Sequence, residues 1–320
     1  MKPIYNHKHG IIYNGHCIDI MDKLPEKSVD CAITSPPYLG LRDYELEPTI
    51  WPEISFSPMP GLPKIVVPPQ TCCHGHEEDL NSYIAHQVYI YRSLKAILKD
   101  SGTFWLNIGD TWAAQRGGTH MPAQTIAGGV GGKGNEKSFR GMGGEKRNVP
   151  HRNASSIGLK HKDLIGIPWR LAFAMQADGW YLRQDIVWSK GNPSPESVTD
   201  RCTKSHEYVF LFTKNIKYFF DSISIKEKAV NGGTRNRRSV WNINIKPHKG
   251  TSGHFAVYPT ELVKPCILAG CPEGGIIIDP FFGSGTTGVV ANKLGRRFIG
   301  CELSETYCRD IAIPRLNKII

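Results

Sequence analysis

Thr34-Ser35-Pro36-Pro37-Tyr38 follows directly on an apolar run, Val29 to Ile33. Consecutive prolines fix the backbone, so the direction of the Pro37 carbonyl is preset. The Ser35 hydroxyl stands beside it. Two rigid acceptors of this kind suit a particular task. An exocyclic amine is a poor nucleophile because its lone pair is delocalised into the ring. Accepting hydrogen bonds from both of its N–H groups pushes the nitrogen towards tetrahedral geometry. Tyr38 can stack on the ring. A nucleic-acid base would have to leave its duplex to reach such a pocket. The group transferred would then pass directly to nitrogen, with no covalent enzyme intermediate.

A second group of residues lies near the other end of the chain, Ile276-Ile277-Ile278-Asp279-Pro280-Phe281-Phe282-Gly283-Ser284-Gly285-Thr286-Thr287-Gly288. It reads as an apolar strand, a glycine turn and a helix start, which lets a ligand approach the backbone at the carboxyl edge of a sheet. Gly283, Gly285 and Gly288 match the dinucleotide fingerprint, a weak pattern by itself. That turn normally opens its domain, whereas here too little chain follows to complete one. The order is therefore permuted, with the remaining strands supplied from the N-terminal side. Asp279 at the head of the turn suits a cationic ligand bearing an amino group better than a pyrophosphate. Glu302, ending the next strand, is placed to accept from ribose hydroxyls. A Walker A loop is excluded, because Gly132-Lys133 is followed by Gly134.

The elements that must hold these groups alternate. The sequence predicts a short apolar run at Gly10 to Tyr13 and a helix at Ile18 to Leu24. A strand follows at Val29 to Ile33. Residues 45–78, rich in proline, read as irregular. Leu80, Ile84, Val88, Tyr91, Leu94 and Leu98 recur at helical spacing within Asp79 to Lys99. A strand is predicted at Thr103 to Ile108, a helix at Asp163 to Ala177, and strands at Tyr181 to Trp188 and Glu207 to Phe212. The last part reads helix (Thr260 to Ala269), strand (Gly275 to Asp279), helix (Thr286 to Leu294), strand (Arg297 to Cys301) and helix (Glu305 to Leu316). This alternation predicts an α/β fold with a mostly parallel sheet. Two stretches stand apart, a Gly-rich basic loop at 112–158 and a polar basic segment at 221–252.

The chain has 320 residues and a formal net charge of +10. Such an excess points to an anionic partner, nucleic acid above all. It is concentrated in the two stretches just named, the first holding Arg140 and Arg147, the second Arg235, Arg237 and Arg238. The nine cysteines are scattered. With no signal peptide and no membrane span, a cytoplasmic protein without a disulfide framework is expected. Cys72, Cys73, His74 and His76 crowd into too short a run for the two separated pairs that zinc prefers, so no metal is expected. Pro265-Cys266 lies inside a predicted helix, which makes Cys266 core packing and not the thiolate of a cytosine-C5 methylase.

Thr34-Ser35-Pro36-Pro37-Tyr38 together with the Asp279 to Gly288 turn resembles the amino-methyltransferase family of DNA methylases. Because the catalytic motif precedes the cofactor motif, the order resembles that family's β arrangement. Asn14-Gly15-His16-Cys17-Ile18-Asp19, His254 to Glu261 and Trp188 to Pro193 resemble further segments of it. His16 stands where the family commonly has an acidic or polar residue, and the insert at 112–158 has no counterpart. The resemblance implies a Rossmann-like fold binding S-adenosylmethionine, with double-stranded DNA as partner. It leaves room for a cognate restriction endonuclease and a homodimer. It implies that Asp19 faces the adenine, Thr260 the methionine end and Glu302 the ribose. Asp279, Phe281, Gly283, Ser284, Gly285 and Thr286 would complete the cofactor site, and Lys190 would lie on DNA beside the base pocket. Residues 1–220 and 253–320 would form the catalytic and cofactor-binding domain, and 221–252 the target-recognition segment, where most arginines would touch phosphate. Serine at position 35 favours cytosine N4 over adenine N6, since in this family Asp-Pro-Pro-Tyr more often accompanies adenine. RNA or protein methylation and a non-enzymatic DNA-binding module are the rival readings; the second leaves the Pro-Pro pocket without purpose.

Overall fold

A computed structural model describes residues 1–40, 46–114, 158–245 and 258–318. In chain order the strands are β1 (Tyr5–His7), β2 (Gly10–Asn14), β3 (Val29–Thr34), β4 (Thr49–Trp51), β5 (Ile54–Phe56), β6 (Ile65–Val67), β7 (Gln70–Cys72), β8 (Leu98–Ile108), β9 (Tyr181–Ser189), β10 (His206–Thr213), β11 (Glu227–Lys228), β12 (Thr234–Arg235), β13 (Val240–Asn242), β14 (Ile276–Asp279) and β15 (Arg297–Glu302). The helices are α1 (Cys17–Met21), α2 (Leu80–Ile97), α3 (Ile167–Ala177), α4 (Thr260–Gly270), α5 (Thr286–Lys293) and α6 (Ile313–Asn317).

A nine-stranded sheet in the order β1-β2-β15-β14-β3-β8-β10-β9-β13 carries the molecule. From β2 to β8 all neighbours are parallel. β10 runs antiparallel between β8 and β9, and β13 joins β9 in parallel. The parallel strands are covered on both faces, which is why β3 is buried along its whole length. Side chains alternate between two cores. Phe104, Leu106 and Ile108 of β8 enter the one shared with α1, α2 and α3, while Trp105 enters the one shared with α4 and α5. The expected parallel α/β fold is thus present, with Ser35 and Asp279 immediately beyond or at the carboxyl ends of adjacent central strands.

Asp79 caps α2, its carboxylate accepting from Ser82 N at 3.0 Å. The predicted last helix is divided: a π-helical turn, Tyr307–Ala312, leads into α6 near Pro314, whose missing N–H interrupts the regular ladder. No helix among the described residues is long and apolar enough to cross a membrane.

Residues 45–78 correct the expectation of an irregular stretch. From residue 46 onward they form two nested antiparallel pairs, β4 with β7 and β5 with β6. Their inner face buries Trp51, Ile54, Phe56 and Val67, and Ile50 and Val66 alternate outward. The prolines punctuate the strands instead of occupying them. Pro52 separates β4 from β5, Pro58, Pro60 and Pro63 lie in the turn, and Pro68-Pro69 separates β6 from β7. Composition signalled loop because seven prolines fall among only twelve paired residues, so that no strand exceeds three residues.

Candidate active site

The turn after β14 is built around its second phenylalanine. Phe282 stacks on Phe298 with centroids 5.5 Å apart. A Cβ on Gly288 or Gly300 would lie 2.7 or 2.5 Å from its ring, so both glycines are required for the close approach. Gly283 and Gly285 take φ of +50° and +78°, conformations that L side chains rarely adopt. Phe282 therefore anchors the turn, and Phe281 is left to line the pocket above it.

Asp279 is only 1% exposed, and both its oxygens are taken. Oδ1 accepts from Thr34 Oγ1 at 2.6 Å and from Phe281 N at 3.1 Å; Oδ2 accepts from Thr287 Oγ1 at 2.6 Å and Tyr258 OH at 2.9 Å. Burial pushes its carboxyl up in spite of these donors. The reading of Asp279 as a carboxylate presented to a cationic ligand is corrected. It is a buried knot joining β3, β14 and α5 beneath the pocket floor.

Glu302, by contrast, lines the pocket. Its Oε2 accepts from Gly283 N at 2.7 Å and its Oε1 from Ser304 N at 2.9 Å. Burial raises its carboxyl to about 7, more than those two N–H groups offset. Ser284 also lines the pocket, and Arg315 holds the turn from behind through Ser284 Oγ and Thr286 Oγ1, both at 2.9 Å. Thr286 and Gly285 are buried outside the pocket wall. Asp19 is exposed on α1, and the wall at that point is His16 and Cys17. Thr260 opens α4, bonds to the neighbouring Glu261 at 3.0 Å and is likewise absent from the wall.

The opposite wall comes from the extension, with Leu46, Thr49, Cys73 and His74. His74 lies nearly parallel to Phe281, centroids 5.8 Å apart, and to Tyr83 at 5.3 Å. Its Nδ1 and the Nδ1 of His86 both lie 2.8 Å from Glu77 Oε1, and Gln87 Nε2 lies 2.8 Å from its Nε2. His86 in turn stacks on Trp51 at 4.0 Å. Cys72, Glu77 and His86 bring their ligand atoms within 4.8 Å of one another. The Cys72–His76 run is thus gathered by hydrogen bonds into a wall of the pocket.

Ser35 and Pro37 line this same pocket. The Pro37 carbonyl accepts from Tyr83 OH at 2.8 Å, which uses one of its two lone pairs. Among the described residues no hydrogen bond engages the Pro36 carbonyl. Tyr38 is held at its hydroxyl, 2.9 Å from Glu207 Oε2 and 3.3 Å from Ser35 Oγ. Gly109 passes against its ring, where a Cβ would come within 2.8 Å of Tyr38 Cε2. Lys190 is ion-paired with Glu207, with both side chains 16% exposed, and lies 4.6 Å over the Trp188 ring. One of its three N–H donors is thus engaged by a carboxylate beside the pocket.

Of the basic residues in 221–252, Arg235 and Arg238 both bond Glu227 Oε1, at 2.9 and 3.0 Å, and Arg237 lies 4.7 Å over Trp241. Arg238 keeps an exposed side chain; the other two are largely committed to the β11–β12 hairpin and β13. Arg140 and Arg147 lie outside the described residues. Cys266 is buried in α4 with its thiol pushed up by burial, as core packing requires. Tyr83, Glu207 and Arg315 escaped the sequence reading, because each sits in an ordinary helix or strand and only tertiary contact singles it out; Tyr258, within the His254 to Glu261 segment, was given no role of its own.

Residues 29–313 match the family model described as DNA methylase, N6/N4 type. The chain is 42% identical over 306 residues to the Type II methyltransferase M.Cfr9I of Citrobacter freundii, covering 96% of this chain and 87% of that one. It is 43% identical over 295 residues to M.SmaI of Serratia marcescens, covering 92% and 86%. Among solved structures, the cytosine-N4-specific PvuII DNA methyltransferase superposes with a TM-score of 0.63 at 17% identity, covering 100% of this chain and 94% of that one. TTHA0409 of Thermus thermophilus complexed with S-adenosyl-L-methionine gives 0.57 at 19%, covering 97% and 93%.

Proposed function

Since the chain belongs to the N6/N4 family of DNA methylases, we propose that it methylates the exocyclic amino group of a base flipped out of double-stranded DNA, with S-adenosylmethionine as donor and cytosine N4 as acceptor. The observation that carries this reading is the meeting of two distant motifs in one cavity. Ser35, Phe281, Gly283 and Glu302 line the same pocket.

The residues present fit the donor. Phe281 and His74 offer flat apolar surface, Glu302 offers a carboxylate to ribose hydroxyls, and the positive-φ glycines bring the backbone close. When bound, the donor supplies an electrophilic methyl group. The chain's own part is to orient the acceptor nitrogen. Ser35 Oγ and the Pro36 carbonyl, which no hydrogen bond among the described residues engages, are the two acceptors for the amino N–H groups, and Tyr38 offers its ring to the base. A hydroxyl in place of a carboxylate at position 35 favours cytosine, and the PvuII enzyme is named as cytosine-N4-specific. Adenine N6 is the second reading, because the family spans both.

The names of the relatives place them among Type II methyltransferases. A restriction endonuclease reading the same sequence is the partner this implies. Target recognition is assigned to 221–252, where Arg238 is more exposed than Arg235 and Arg237. Mass spectrometry of nucleosides from DNA of cells expressing the chain tests the proposal. N4-methylcytosine is expected. N6-methyladenine would overturn the choice of base alone, and neither product would overturn the function.

A further inference from the structure

The geometry assigns Glu207 and Lys190 a positioning role: they fix the direction of a hydrogen-bond chain ending at Ser35, so that the Ser35 hydroxyl meets the base as an acceptor only. The inference rests on the reading of Ser35 as an acceptor for the amino group.

The chain is short and each donor can be assigned. Asn107 Nδ2 donates one N–H to Glu207 Oε2 at 3.0 Å and the other to the Tyr208 carbonyl at 3.1 Å. Lys190 Nζ donates to Glu207 Oε1. An ionised carboxylate has acceptors only, so Tyr38 OH, 2.9 Å from Oε2, must be the donor of that bond. A phenol has a single proton. Having given it to Glu207, Tyr38 can only accept from Ser35 Oγ at 3.3 Å. Ser35 also has a single proton and spends it on Tyr38, leaving lone pairs for the pocket it lines. A freely rotating hydroxyl would meet an amino group as donor as readily as acceptor, and as a donor it would oppose the N–H it must hold.

The direction of the chain depends on Glu207 remaining ionised. Burial pushes its carboxyl up, but the Lys190 charge and the donors Lys190, Tyr38 and Asn107 hold it below the usual range. Lys204, on the approach to β10, and His206, its first residue, also face Glu207, and Asp110, beyond β8, faces those two. Four segments meet here, namely the turn after β3, the end of β8, the start of β10 and the residue after β9. The sequence brings none of them together.

The test uses the full chain, unmethylated plasmid DNA and labelled S-adenosylmethionine, with kcat and KM followed from about pH 6 to about pH 9. Glu207→Gln places an amide that can donate to Tyr38 and so reverse the chain. A fall in kcat on the order of 10²-fold with unchanged KM for the donor is expected. Lys190→Met leaves Glu207 in place but easier to protonate, so kcat should fall as pH drops and recover as it rises. Lys190→Arg should restore the wild-type profile. Thermal protection by S-adenosylmethionine shows which variants fold, and if Glu207→Gln does not, the two Lys190 variants decide. Wild-type kcat in a folded Glu207→Gln, or a Lys190→Met loss equal at every pH, would overturn the inference. Ser35→Ala separates the two levels. If it loses turnover while Glu207→Gln keeps it, only the assigned direction fails; if it keeps turnover, the acceptor reading itself fails.

Discussion

Glu302 shows how one residue can be unfavourable to the fold and useful to the site. Its carboxyl titrates at about 7 in the folded chain because burial outweighs two backbone N–H donors. The folded value lies above the unfolded one, so folding favours the protonated form. The linked stability is fully present below the unfolded value and is lost as pH rises through about 7, on the order of 3 kcal/mol across that window. Glu302→Gln should remove most of this slope in urea unfolding measured from about pH 5 to about pH 8. Ribose hydroxyls need an acceptor, so wild-type affinity for S-adenosylmethionine should rise through the same window, while that of the variant stays flat. Calorimetric titration showing a pH-independent wild-type Kd would remove Glu302 from the ribose. Tyr83 offers a second test at this scale. Tyr83→Phe deletes the donor to the Pro37 carbonyl, a loss of about 1 kcal/mol in stability. If that bond sets the Pro-Pro turn, kcat falls further than stability does, with donor affinity unchanged; equal kcat would make the bond merely structural.

Among the elements, the nested β4–β7 extension has the most to explain. It hangs its aromatic face on α2 and sets His74 into the pocket wall opposite the glycine turn. Trp51 is the pivot, buried and stacked on His86, which shares Glu77 with His74. Trp51→Ala should cost about 3–5 kcal/mol by thermal or urea unfolding. It should also weaken S-adenosylmethionine binding, because the wall loses its backing. Destabilisation with wild-type affinity would show that the extension only caps the core. The proline content of this stretch masked its strands, since a residue that cannot donate to a ladder reads as loop wherever it stands. In β14 and α5 nothing interferes, and the apolar run, the glycines and the helix start are all legible.

For the whole molecule, charge and chain path decide where DNA can lie. The described stretches on either side of residues 115–157 meet. Trp112 bridges Leu164, and Ala113 N bonds Asp163 O at 2.9 Å. A short linker can therefore replace residues 115–157 without moving the sheet. That replacement should leave S-adenosylmethionine binding unchanged while weakening DNA binding and flattening its dependence on salt, because its Lys and Arg side chains no longer displace counterions. An unchanged slope in fluorescence anisotropy would remove the segment from the phosphate contacts.

The sequence by itself determined most of the helices and strands of the parallel sheet, though not the β4–β7 pairs, and the two motifs that contribute to the pocket wall, Ser35-Pro36-Pro37-Tyr38 and the turn from Asp279. Those features are local. Apolar period, proline stiffness and glycine at positive φ act over a few residues, and their spacing survives in the linear chain. Only the tertiary structure decided which polar groups are spent and which are free. It filled both oxygens of Asp279 with four donors, set Tyr83 against the Pro37 carbonyl and Glu207 against Lys190, and brought Arg315 behind the glycine turn. A hydrogen-bond donor can be used only once, and its partner here comes from a strand or helix far away in sequence. Which groups remain for a ligand is therefore a property of the packed molecule and not of any segment of it.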